Sequence, residues 1–125
     1  MKIINHHLSI IITVALMLAC ASSSAAGITS LHSLAQGSVS ITNTQKRSSW
    51  VPVALLFRFD APATGTITVE RNTGSTSFLL TSGILSNNLH AVWVPEVDIP
   101  FNLNEALSIT CTSTNGTVEI IRKGN

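Results

Sequence analysis

From Gly37 onward the apolar residues of this chain recur at every second position. That period belongs to the β-strand, whose side chains point alternately to opposite faces. Val39 and Ile41 share a face within 37–43. Val53, Leu55, Phe57 and Phe59 share one within 53–59, with Leu56 and Arg58 on the other side. In 64–71, Ile67 and Val69 point inward while Thr66, Thr68 and Glu70 point outward. Segments 76–81, 89–94, 106–112 and 117–122 complete the series; Leu107, Ile109 and Cys111 share one face, and Val118 and Ile120 another. Turn residues separate them. Asp60-Ala61-Pro62-Ala63 stops one strand, Asn72-Thr73-Gly74-Ser75 closes a hairpin, Ser82-Gly83 reads as a turn and Pro95 ends a strand. Asn115-Gly116 is the two-residue hairpin signal, which favours positive φ at both positions and predicts pairing of the two segments it joins. About seven strands with a turn signal every eight to twelve residues or so predict an all-β domain over 37–125, a single antiparallel β-sandwich. Residues 27–36 read as a lead-in, with Leu31 and Leu34 one helical turn apart.

The N-terminus follows another logic. Met1 and Lys2 make a positive start, Leu8 to Ala19 carries no charge, and small residues fill 21–26. The apolar run falls short of the roughly 20 residues that span a bilayer as a helix, so 1–26 reads as a signal peptide behind which the domain is exported. A buried N-terminal helix of the domain is the competing reading. Two processing routes stay open. Ser24-Ala25-Ala26 suits general cleavage, leaving Gly27 first and the product secreted, periplasmic or extracellular. Leu16-Met17-Leu18-Ala19-Cys20 resembles a bacterial lipobox, which makes Cys20 the lipidation candidate, although Met17 and Leu18 depart from its usual residues.

Loss of Lys2 with the leader takes seven basic residues to six, matching the six acidic ones. A neutral domain whose only basic doublets are Lys46-Arg47 and Arg122-Lys123 lacks the clustered cations that nucleic-acid binding requires. Either route leaves Cys111 without a partner for an intrachain disulfide, so stability rests on packing and backbone pairing.

Site chemistry is sparse. His32 and His90 stand far apart, and no zinc-ligand spacing occurs. Glu96 and Asp98, with Asn102, Asn104 and Glu105, make either an oxygen-rich calcium loop or a plain polar connection. Nothing selects Asp60 and Glu70 as a glycosidase pair, no Gly-x-Ser-x-Gly elbow is present, and Cys111 reads as a small apolar core residue. Thr64, Thr66 and Thr68 share a face, as do Thr110, Thr112 and Thr114, and β-branching suits them to a solvent-facing pleat. Trp50 and Trp93 are the contact-residue candidates, since aromatic rings can bind partners or stack on sugars. Trp93 is out of phase with Val92 and Val94, so that strand is either buried on both faces or turns one set outward. No catalytic, cofactor or metal residues are assigned.

The stretch Val92-Trp93-Val94-Pro95, then Ile99-Pro100-Phe101, then Asn104-Glu105-Ala106-Leu107-Ser108-Ile109-Thr110 resembles small β-sandwich proteins of phage and prophage clusters over residues 64–123. In that family a strand ending Trp-x-Pro precedes a Pro-x-x-Leu-x-x-Gly-Asp-x-Leu stretch and a terminal hairpin; Asn104-Glu105 stands here for Gly-Asp. The resemblance implies a structural or attachment role. The sequence thus leads to a secreted or surface-attached interaction module without catalysis or cofactor, a subunit of an extracellular or virion-like assembly. Its partner is a protein or a second copy, not a nucleic acid, and a membrane only if Cys20 is lipidated. The alternative is a small module binding a glycan or calcium.

Overall fold

The computed structural model describes residues 2–5 and 27–124, and every regular element in them is a strand. These are β1 (Lys2–Asn5), β2 (Ile28–Ser33), β3 (Ser38–Thr42), β4 (Trp50–Asn72), β5 (Ser77–Val94), β6 (Ala106–Cys111) and β7 (Gly116–Gly124). All pair antiparallel in one sheet that curls into a half-barrel. The expected leader, its cleavage point after Ala26 and the lipidation candidate Cys20 lie outside the described residues, apart from the short β1.

The strands are not those the sequence spacing predicts. Segments 53–59 and 64–71 run together as the 23-residue β4, and 76–81 and 89–94 as the 18-residue β5. Asp60 to Ala63 does not end the strand, because Pro62 is compatible with extended backbone and the misfit is absorbed as a register shift between Arg58 and Ala63. Asn87, at φ 64°, takes up the same bend on β5, and the Asn88 side chain accepts the Ser86 N–H at 2.7 Å. Ser82-Gly83 is mid-strand, with Gly83 opposite Ile67. The Asn72 to Ser75 turn is as expected: Asn72 faces Ser77, and Thr73 N–H donates to Thr76 O at 2.9 Å.

The bend gives the molecule two arms. On one edge β4 pairs first with β7, from Trp50↔Gly124 to Phe59↔Gly116, and then with β6, from Ile67↔Cys111 to Asn72↔Ala106. The other edge pairs with β5 along both arms. The first arm therefore reads β1-β5-β4-β7-β2 and the second β5-β4-β6-β3. This overturns the terminal hairpin: β6 and β7 do not pair with each other, and Asn115 has no positive φ. Glycine is needed at 116 for another reason. A Cβ there would lie 2.2 Å from the Arg58 carbonyl oxygen, so only glycine lets β7 approach β4 at this point. Nor are residues 27–36 a loose lead-in, since Ile28 to Ser33 pairs with β7 at all six positions. Its alternation is masked in the sequence because Ser30 and His32 occupy half-buried positions beside Ile28.

The concave side holds the main core. Leu34, Trp50, Leu55, Phe57, Ile67, Val69, Trp93, Phe101, Leu107, Ile109, Val118 and Ile120 are among its buried members, all from residues 34–120. Cys111 joins them, and burial pushes its thiol above the ordinary 9.0, a shift that a backbone hydrogen bond at Ser113 partly offsets.

Candidate functional site

The convex side of the first arm carries a second apolar cluster. Residues directly opposite in an antiparallel pair share a face, so the register yields three rows across β5, β4, β7 and β2. The first is Ala54, Ile121 and Thr29, with Val94 packed against it; the second Val92, Leu56, Glu119 and Leu31; the third His90, Arg58, Thr117 and Ser33. Ala54, Leu56, Val92 and Ile121 are buried as a cluster separate from the core, with Val53 and Val94 half-buried against it. Beside it lies a shallow groove of about 320 Å³, lined by Thr29, Leu31, Leu56, Arg58, Thr117 and Glu119. Leu31 is 67% exposed at its margin. His90 Nδ1 is buried on this face without a hydrogen-bond partner.

A soluble sheet with one solvated face alternates apolar and polar residues cleanly; continuous apolar runs mark strands buried on both sides. Val53-Ala54-Leu55-Leu56-Phe57 and Ala91-Val92-Trp93-Val94 are such runs. They are the signal by which this surface could have been found.

The second arm is different. Its convex face carries Ser82, Thr68, Thr110 and Ser38 in one row and Ile84 and Thr66 in the next, where Thr66 N–H donates to Thr112 Oγ1 at 2.8 Å. Most of these are exposed hydroxyls, the ordinary dress of a solvated strand.

The contact candidates from the sequence are placed elsewhere. Trp50 is 1% exposed and Trp93 0%, so both rings are core residues and neither is presented to a partner. The strand Ala91 to Val94 is buried on both faces, Trp93 inward and Val92 on the convex cluster. The carboxylates of the 96–105 loop are not brought together. Asp98 pairs with Lys123 at 3.2 Å, while Glu105 pairs with Arg71 and accepts the Asn102 side-chain amide at 3.0 Å. Among the described residues no group of three or more His, Cys, Asp or Glu side chains could hold a metal ion. His32 makes a local contact of 2.9 Å with Ser30.

No family model and no curated protein matches the chain. Among solved structures it is similar to the Drosophila NLP-core, whose crystal structure bears on pentamer formation and histone binding. The identity is 15%, covering 80% of this chain and 98% of that one, with a TM-score of 0.51. FlhE aligns over 79% of this chain and 98% of its own at 14% identity, with a TM-score of 0.23. What the first likeness shows is the all-β fold.

Proposed function

We propose that this protein is a non-catalytic structural or interaction module, exported and then built into a larger assembly through the convex face of its first arm. One observation carries the reading. Ala54, Leu56, Val92 and Ile121 form an apolar cluster on the side of the sheet away from the core, where a self-sufficient domain would carry polar side chains. The NLP-core, which has a similar fold, is associated with pentamer formation, and that supports a role in self-assembly. The resemblance of residues 64–123 to phage and prophage sandwich proteins supports a structural role in the same sense. In this reading the two arms act as the two layers of a sandwich, and residues 1–26 are the export signal.

Export is tested by fractionating cells that express the full chain and weighing the product. The reading expects a mass matching residues 27–125, or a product that starts at Cys20 and carries added acyl mass. A full-length protein in the cytoplasm contradicts it.

A further inference from the structure

We infer that, once residues 1–26 are removed, the convex face of the first arm binds a second copy of this chain, the two packing face to face about a two-fold axis beside Leu56. The inference rests on the proposed reading of 1–26 as a cleaved leader.

In the full chain Ala54, Leu56, Val92 and Ile121 are 0–5% exposed. Among the described residues, the apolar side chains packed on this cluster are its own neighbours Val53 and Val94. β1, which pairs Lys2 to Asn5 with Val94 to Ala91, belongs to the segment that processing removes. The mature chain therefore carries this apolar cluster on its convex face, beside a β5 edge that has lost its β1 partner. Such a surface is ordinarily an interface.

The charges on the face indicate the occupant. Leu56 has Glu119 directly beside it on β7, and Arg58 lies two residues along β4 on the same side. No ion pair joins either charge to another described residue. One acid and one base placed diagonally about an apolar centre are self-complementary. A two-fold axis beside Leu56 sets Leu56 against its own copy, Arg58 against Glu119 of the second copy, and Glu119 against that copy's Arg58. Exposed Leu31 extends the apolar contact on the β2 side. At the usual strand spacing the face is about 15 Å across, a small interface that calls for weak association.

Sedimentation velocity on the processed protein tests this. The expected result is a concentration-dependent dimer that Leu56→Asp abolishes. Arg58→Glu and Glu119→Arg should each weaken it by about tenfold or more, and the double reversal should restore it. Circular dichroism establishes that each variant is folded. A processed chain that stays monomeric at high concentration, or charge reversals that add rather than compensate, overturns the inference. If the isolated protein still carries residues 1–26, the leader reading fails separately. A protease site placed between Ala26 and Gly27 of the full chain then decides the matter: the dimer must appear on cleavage, and its absence overturns the inference.

Discussion

The rings of Trp50 and Phe101 lie face to face, with centroids 4.6 Å apart and planes 7° from parallel. Their backbones form an isolated bridge as well, Phe101 N–H donating to Trp50 O at 2.8 Å. The Arg122 guanidinium lies over the Trp50 ring, 5.1 Å from its centroid, and that of Arg71 over Phe101 at 5.8 Å. The arrangement fastens the 95–105 loop to the start of β4. Truncating Phe101 to alanine removes a fully buried ring and leaves a cavity against Trp50, at a cost of about 3–5 kcal/mol. Urea denaturation followed by tryptophan fluorescence measures the loss, and a midpoint within error of wild type would contradict this role for the stack.

Glu105 holds Arg71 over the same ring. Both side chains are partly shielded, at 14% and 27% exposure, so removing the carboxylate leaves an under-solvated guanidinium beside an aromatic face. Glu105→Ala is expected to cost about 1–2 kcal/mol, a value set by the lost charged hydrogen bonds and reduced by solvent screening. A double-mutant cycle with Arg71→Ala isolates the coupling, and purely additive losses would show that the pair contributes nothing.

Gly116→Ala should be among the most damaging single changes. The new methyl meets the Arg58 carbonyl oxygen at 2.2 Å and Phe59 Cα at 3.0 Å, both backbone atoms that cannot swing aside. The β4–β7 pairing must open locally, with an expected loss of about 3 kcal/mol or more. Thermal melts measure the loss; Gly116 has no positive φ, so its alanine variant reports the clash, whereas alanine at exposed Gly74, at φ 94° with no atom within 4 Å, reports backbone strain alone.

Cys111 gives the pH dependence. Its thiol is raised above 9.0 in the fold chiefly by burial, so the folded state holds the neutral form to higher pH than the unfolded chain does. Its contribution is fully present below pH 9.0 and is lost as pH rises through the higher folded value, because the unfolded thiol ionises first. Stability measured from pH 8 to 10.5 or so should fall more steeply in wild type than in Cys111→Ala. Thiol reagents should label Cys111 at neutral pH only after denaturant is added; rapid native labelling would refute its burial.

Much of this fold could be read from residue alternation, but its connectivity could not. The inward sets Leu55, Phe57, Phe59 and Ile67, Val69 are where the period of two places them, and Asn72 to Ser75 makes the hairpin; Val53 is not, since the register shift between Pro52 and Ala54 turns it against the convex cluster. The alternation gives no indication that β4 stays continuous through Pro62, because a bulge preserves extended backbone while shifting register. Asn115-Gly116 looks like a hairpin turn, yet Gly116 is required by close packing on Arg58, a constraint that only the tertiary structure supplies. Leu56 and Arg58 were assignable to the side opposite the core, but the apolar run around Leu56 was not read as a sign of burial on that side. Which residues it joins on β5 and β7 depends on long-range register. Trp50 and Trp93 were legible as the largest side chains, while their inward direction follows from the phase of strands longer than the sequence suggested.

The most direct test of the interaction role is a photo-crosslinking residue placed at position 31, on the exposed margin of the convex face, in cells making the full chain. The same residue at position 66, on the hydroxyl face of the second arm, serves as the reference. The account predicts a discrete protein adduct from position 31, of the mass of a second copy or of another assembly subunit, and none from position 66. Equal crosslinking at both positions, or none at position 31, would contradict it.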